Sequence, residues 1–151
     1  MPVLWRLYRA RYGPGLDGIG GTFAGGRWHR KGEYVVYFGA TAAITVLERL
    51  AHTNPDLLPD DLLLGRFEFD RAVVEARIEE YGELPAGWSR EEELTRQLGE
   101  KWRSSGTSSI IAVPSAVLPE ESNFILNPRH PESHHLKLIR ERSFAFDPRL
   151  L

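Results

Sequence analysis

A glycine-rich stretch near the start of the chain most constrains its fold. Seven of the 14 glycines lie between Gly13 and Gly26, and Pro14 interrupts them. Glycine loses much conformational freedom on folding and proline lacks an amide proton, so the stretch predicts a loop rather than a helix. Its first glycines match G-x-G-x-x-G, but a dinucleotide-binding loop of that type must follow a strand and open a helix. No helical pattern follows here, which argues against that fold.

The loop leads to Arg27 and Trp28. The two glycines just before Arg27 allow the backbone to approach a ligand closely. A guanidinium binds phosphate or carboxylate through two parallel hydrogen bonds, and the tryptophan is large enough to hold it in place. The segment therefore predicts an anion site. Further candidates for this site are Arg6, Arg9 and Arg11, although solvated surface arginines are the simpler interpretation of the last two.

Short β-branched and aromatic segments alternate along the chain with two helical patterns. The predicted helices cover 41–53 and about 89–103. The predicted strands cover 3–7, 33–38, 62–69, 71–79, 108–113, 122–127 and 136–146. No repeat, linker or low-complexity tract divides the 151 residues, which predicts one domain over 1–151.

Glu48 stands out in the first predicted helix, which Thr41 can cap. Ile44, Leu47 and Ala51 form an apolar stripe at helical spacing, and Glu48 falls on that stripe. A carboxylate that faces a core is costly unless it is paired. Glu48 is thus either half of an ion pair with an arginine or a carboxylate placed in a cleft for chemistry. The polar side of this helix carries Thr45, Arg49, His52 and Thr53.

The second predicted helix begins at a capping box, Ser89 to Glu92. Leu94, Leu98 and Trp102 recur at helical spacing and predict its buried face. Its charged residues are most simply a solvated face.

Two strand ends carry further candidates. Alternation along 33–38 places Tyr37 on one face with Val35, and a short connection lets Tyr37 meet Arg27. Pro114 ends the strand over 108–113 and leaves Ser115 at its mouth. A nucleophilic role for Ser115 has no G-x-S-x-G elbow or evident base to support it. A hydrogen-bonding residue at a strand end, or a turn serine that satisfies backbone groups, fits better.

Composition excludes several classes of protein. Nineteen basic and 21 acidic residues give a net charge of −2, without the basic excess of a general nucleic-acid binder. Absence of cysteine excludes disulfides and thiolate metal sites and fits a cytoplasmic protein. No apolar run approaches the ~20 residues of a membrane span.

His130, His134 and His135 suggest a metal site. No carboxylate lies beside them at a familiar ligand spacing, so we expect no bound metal.

These segments, in this order, resemble the RES family, named for an arginine, a glutamate and a serine that recur in it. The resemblance runs from Trp5 to Leu150, and His29 departs from it where many members carry asparagine. The matching segments are Gly25-Gly26-Arg27-Trp28, Val35-Val36-Tyr37, Leu47-Glu48-Arg49-Leu50, Val113-Pro114-Ser115-Ala116-Val117, Asn123 to Pro131, and Phe146-Asp147-Pro148-Arg149-Leu150.

The resemblance implies an α+β single domain similar to ADP-ribosyltransferases, with mixed or antiparallel β-sheets and flanking helices. It also implies a bacterial toxin that depletes NAD and has an Xre-like DNA-binding antitoxin as its partner. A homodimer within a larger toxin–antitoxin complex is compatible with it. NAD would be the substrate rather than a cofactor, with water, inorganic phosphate or a macromolecule as the acceptor. An ADP-ribosyltransferase and a non-catalytic nucleotide-binding module stay open as alternatives.

The resemblance also implies roles for particular residues. Arg27 would bind the pyrophosphate of NAD, and Tyr37 or Trp28 would stack on the nicotinamide. A carboxylate stabilises the oxocarbenium-like state through which the N-glycosidic bond breaks, which is the role expected of Glu48. Ser115 would orient the ribose or Glu48. The implied catalytic set is Arg27, Tyr37, Glu48 and Ser115, and the implied NAD-binding set is Arg27, Trp28, Tyr37, Ser115 and Asn123.

Overall fold

Seven strands form one mixed sheet in a computed structural model that describes residues 1–151. The strands are β1 (Val3–Arg9), β2 (Val36–Gly39), β3 (Leu62–Phe69), β4 (Glu75–Arg77), β5 (Ile110–Pro114), β6 (Ser122–Leu126) and β7 (Leu136–Ser143). Their order is β4-β5-β6-β2-β1-β3-β7, and only β4 and β5 pair in parallel. With helices α1 (Ala42–Ala51) and α2 (Glu92–Ser105), this architecture confirms the predicted α+β class.

Successive side chains of β2 point to opposite faces of the sheet and enter two different cores. Val36 and Phe38 belong to a cluster with Phe67, whereas Val35 lies in a second cluster with Trp102 of α2. This confirms the predicted alternation around Tyr37, although the strand begins at Val36 rather than at residue 33. The central strand β2 therefore has α2 on one of its faces and carries Tyr37 toward that side.

Helix α1 approaches the sheet through its first turn. Thr41 caps the helix as predicted, because its hydroxyl oxygen accepts from the main-chain N–H of Ile44 at 3.1 Å. The predicted apolar stripe is wrong at two positions, since Thr45 is buried and Ala51 is exposed. Gly39 explains the difference: a Cβ there would lie 2.1 Å from the Thr45 hydroxyl, so only glycine admits this contact. Neither α1 nor α2 is long and apolar enough to cross a membrane.

Helix α2 begins later than its sequence pattern predicts. The predicted capping box is wrong: a short 3₁₀ turn covers Trp88–Arg90, Glu91 precedes the helix, and no side chain caps it. The main-chain carbonyl of Ser89 instead accepts from the Arg27 guanidinium at 2.5 Å. Leu98 and Trp102 are buried as predicted, and Thr95 is buried beside them.

Other boundaries also shift. The predicted strand over 71–79 is reduced to β4, which the 3₁₀ turn Ile78–Glu80 follows. The last strand, β7, ends at Ser143 rather than at residue 146.

Candidate active site

A cavity of about 530 Å³ opens between β1, β2, α1, the Arg27 loop and the start of α2. Small-molecule sites in proteins fall in the range of roughly 300–1,000 Å³. Glu48 lines the cavity from α1, Tyr37 from β2 and Arg27 from the loop, so the fold brings three predicted site residues together. Asn123 lines it as well, from β6.

The Glu48 carboxylate is held by two neutral donors at the ends of β5 and β6. The Ser115 hydroxyl donates to Oε1 of Glu48 at 2.5 Å, and Nδ2 of Asn123 donates to the same oxygen at 3.1 Å. The two strands are antiparallel neighbours, which places the end of β5 beside the start of β6. Ser115 is fully buried. Asn123, which was predicted to bind NAD, thus contacts the Glu48 carboxylate directly.

Ser115 acts both as a turn serine and as a hydrogen-bonding residue at a strand end. Its Oγ accepts from the main-chain N–H groups of Val117 and Leu118, each at 3.1 Å, as a turn serine does. Its one proton is then donated to Glu48. A hydroxyl used in this way orients the carboxylate that accepts its proton.

No arginine forms a salt bridge with Glu48, which excludes the arginine ion pair, one of the two alternatives left open by the sequence. The Nδ1 atom of His52 lies 4.0 Å from Oε2 of Glu48 and 2.7 Å from the Glu48 carbonyl oxygen. The Glu48 side chain is 24% exposed. Both neutral donors bind Oε1, which leaves Oε2 without a hydrogen-bond donor from the protein.

Four arginines line the same cavity: Arg6, Arg27, Arg49 and Arg96. Arg96 pairs with Glu92 at 3.2 Å, but no carboxylate neutralises the other three. Burial, together with the nearby Arg49, lowers the pKa of Arg6 to about 10. Burial also lowers the pKa of Arg49. Three neighbouring cationic side chains without a salt-bridge partner favour an anionic ligand.

The sequence identified only part of this cationic set. Arg6 and Arg27 were candidates, and Arg9 instead pairs with Asp61 at 2.7 Å. The sequence pattern places Arg49 on the polar side of the first helix and Arg96 on the solvated face of the second. The sequence offers a signal for Arg49, which follows Glu48 directly. Arg96 joins the set because α2 packs against the Arg27 loop, a contact that no local pattern indicates.

The Tyr37 hydroxyl ties the Arg27 loop to the sheet. It accepts from the main-chain N–H of Trp28 at 3.2 Å and lies 2.8 Å from Nδ1 of His29. Nε2 of His29 faces two carbonyl oxygens, those of Gly21 and Ala24, and must therefore carry the ring proton. Nδ1 then accepts from Tyr37. Burial raises the pKa of Tyr37 and lowers that of His29, so both stay neutral.

Trp28 lines the cavity but is only 3% exposed, and its ring packs against Trp88 with ring centroids 5.7 Å apart. Little of its face is left for a ligand, so Tyr37 is the better candidate for stacking.

The three histidines of the 130–135 segment form hydrogen bonds to protein groups: His130 to Gly106, His134 to Pro131 and His135 to Asp70. No group of three or more histidine, aspartate and glutamate side chains is arranged to hold a metal ion.

A family model described as the RES domain matches residues 3–147. The chain belongs to the RES family. Its arginine, glutamate and serine, expected at Arg27, Glu48 and Ser115, all meet at the cavity, since the first two line it and Ser115 bonds to Glu48.

Curated members of the RES family cover nearly the whole chain. A protein named "Toxin Res" from Pseudomonas putida is 36% identical over 150 residues, which are 98% of this chain and 99% of that protein. The "Prs ADP-ribosylating toxin" of Sphingobium sp. is 33% identical over 139 residues, covering 90% of this chain and 86% of that protein.

A solved structure shares the RES-type fold. It is the crystal structure of the M. tuberculosis MbcT–MbcA toxin–antitoxin complex, which superposes with a TM-score of 0.66 at 16% identity. The match covers 94% of this chain and 83% of that one. It supports the fold assignment made from the mixed sheet.

Proposed function

We propose that this protein is the toxin of a bacterial toxin–antitoxin pair and that it cleaves NAD at the bond between nicotinamide and ribose. One observation carries the proposal: Glu48, oriented by Ser115 and Asn123, faces a cavity in which three arginines have no carboxylate partner. A dinucleotide offers this cavity both a pyrophosphate and a sugar on which positive charge develops. NAD of the cytoplasm is the expected substrate pool.

Each part of the cavity has a task in that reaction. The arginines bind the pyrophosphate, and the Tyr37 ring provides a face for the nicotinamide. As the C–N bond breaks, nicotinamide leaves with the bonding electron pair and the ribose becomes oxocarbenium-like. The free oxygen of Glu48 stabilises that charge, or holds a ribose hydroxyl. An acceptor then adds at the same carbon and releases a proton.

Water and inorganic phosphate are the acceptors for an NAD-degrading toxin. A second candidate function, ADP-ribosylation of a macromolecule, uses the same bond cleavage and is favoured by the name of the Sphingobium relative. A non-catalytic nucleotide-binding module is the third candidate function. Transfer of labelled ADP-ribose to protein would favour the second, and binding without nicotinamide release would favour the third.

Purified protein, freed of any antitoxin, is expected to release nicotinamide from NAD. The measurement is product analysis by chromatography and mass spectrometry, in buffers with and without phosphate, because the second product identifies the acceptor. Boiled protein is the control for NAD breakdown in the buffer. Intact NAD in every buffer would contradict the enzyme proposal.

The antitoxin, which we propose to be Xre-like, is expected to cover the mouth of the cavity near Arg27 and the Gly13–Gly26 loop. That loop exposes Ile19 and Phe23, with 47% and 74% of their surfaces accessible. Large exposed apolar side chains of this kind mark protein-binding surfaces when they cluster. Hydrogen exchange of the complex should show protection in this loop. Protection confined to the opposite surface would indicate an indirect mode of inhibition.

A further inference from the structure

We infer that Thr95 of α2 is a positioning residue for Arg27. It acts by holding the main-chain carbonyl of Arg27, and with it the direction in which the guanidinium enters the cavity. The inference rests on the proposed function, in which Arg27 binds the pyrophosphate of NAD. It assigns a role to a helix that the sequence pattern describes only as a buried face and a solvated face.

Three consecutive carbonyl groups of the Arg27 loop receive hydrogen bonds from α2. The Arg96 side chain donates through Nε to the carbonyl of Gly26 at 2.9 Å. Thr95 donates through Oγ1 to the carbonyl of Arg27 at 2.5 Å. Arg103 donates through Nη1 to the carbonyl of Trp28 at 3.4 Å. One helix face thus follows the loop residue by residue.

The helix reaches these carbonyls because Gly99 lacks a side chain. A Cβ at Gly99 would lie 2.0 Å from the carbonyl oxygen of Trp28, and that oxygen belongs to the backbone and cannot turn away. The other end of Arg27 is held as well, since its Nη1 donates to the Ser89 carbonyl at 2.5 Å, just before α2 begins. Arg27 is therefore fixed at its carbonyl and at its guanidinium by one segment.

Thr95 is the centre of this arrangement. It is fully buried, and its hydroxyl has one proton for two carbonyls. The carbonyl of Glu92, one turn back along α2, lies at 3.1 Å, whereas that of Arg27 lies at 2.5 Å. A threonine that only bonded back along its own helix would favour the Glu92 carbonyl. The shorter distance indicates that the proton is used mainly across the contact with the loop.

A loop that follows seven glycines needs such an anchor. Glycine leaves the backbone many accessible conformations, so the aim of Arg27 is set by contacts outside the loop. Misplacement of a binding group by about 1 Å can cost on the order of a hundredfold in rate. Loss of the Thr95 hydroxyl should therefore impair catalysis more than it impairs stability.

The test compares Thr95→Val, which keeps the shape but removes the donor, with Thr95→Ser, which keeps the donor. We expect Thr95→Val to lower kcat/KM for NAD by about tenfold or more, within the range that misalignment produces, and Thr95→Ser to restore most of it. Thr107→Val is the matched control, because Thr107 bonds to Tyr81 at 2.8 Å beyond the other end of α2. This control should leave kcat/KM unchanged.

A double-mutant cycle separates positioning from a general structural role. If Thr95 acts through Arg27, Thr95→Val should cost little further activity in an Arg27→Lys background, because the effects of coupled residues do not add. Equal losses in both backgrounds would overturn the inference. Should Thr95→Val fail to fold, Thr95→Ala removes the same donor with less bulk and enters the same cycle.

A measurement that does not require NAD cleavage tests the positioning role independently of the proposed function. The Nε–H resonance of Arg27 in NMR spectra should shift or broaden in Thr95→Val and match the parent in Thr95→Ser and Thr107→Val. A parent protein that leaves NAD intact would remove the proposed function while this spectrum still decides on positioning. An unchanged Arg27 resonance in Thr95→Val would overturn the inference even if the protein cleaves NAD.

Discussion

Glu48→Gln is expected to lower the rate of NAD cleavage by about a hundredfold or more, as removal of one preorganised electrostatic group typically does. The substitution keeps the shape of the side chain and removes its negative charge. NAD affinity should change much less than turnover, because the carboxylate matters most once positive charge develops on the ribose. Single-turnover rates and calorimetric NAD binding measure the two effects separately.

The same variant should keep or raise the melting temperature. Loss of one member of a buried ion pair would cost about 3–5 kcal/mol, but Glu48 has no arginine partner to leave unpaired. A glutamine oxygen can still accept from Ser115 and Asn123. A group placed for chemistry at some cost to stability is often replaced without loss of stability.

Glu92→Gln is the matched control for Glu48→Gln. Glu92 lines the same cavity but pairs with Arg96, so its loss should reduce turnover far less. A Glu48→Gln protein that is strongly destabilised, and whose folded fraction cleaves NAD at the parental rate, would contradict the assigned role.

Arg27→Lys is expected to reduce NAD turnover severely, on the order of a hundredfold, while the protein stays folded. Lysine retains the charge but loses the planar fork that binds two phosphate oxygens at once. It also cannot donate to the Ser89 carbonyl and the ligand in the same geometry. Steady-state kinetics should therefore show a large loss of turnover, whereas thermal unfolding of the same sample should show that the protein stays folded.

Arg9→Lys provides the comparison for Arg27→Lys. Arg9 ends β1 and pairs with Asp61, and neither of these residues lines the cavity. Its replacement should leave turnover near the parental value. An Arg27→Lys variant as active as the parent would exclude Arg27 from the site.

Local patterns were sufficient for much of the fold. β-branched and aromatic residues with period two located most of the strands, and the placement of Tyr37 on the same face as Val35 followed from alternation. The cap of α1 at Thr41 was also predictable, because a cap involves residues only three positions apart. The glycine-rich loop before Arg27 followed from composition. Each of these features depends on interactions between residues that are close in the chain.

The helix starts and stripes show where local patterns fail. Ser89 to Glu92 has the spacing of a capping box, but the Ser89 carbonyl contacts Arg27 and the helix starts at Glu92. Thr45 is polar yet buried, because Gly39 on a neighbouring strand leaves space for it. In both cases a contact with a distant segment outweighs the local preference.

The partners of Glu48 were decided by the tertiary structure alone. From the sequence, an arginine and a catalytic role were both open. The carboxylate is instead held by Ser115 and Asn123, which lie 67 and 75 residues further along the chain. The sequence by itself determined that a carboxylate would sit on α1, that Ser115 would end a strand and that Arg27 would follow a glycine-rich loop. Only the pairing of β5 with β6 and the packing of α1 against the sheet brought these groups within hydrogen-bonding distance, because no local periodicity encodes a contact between segments so far apart.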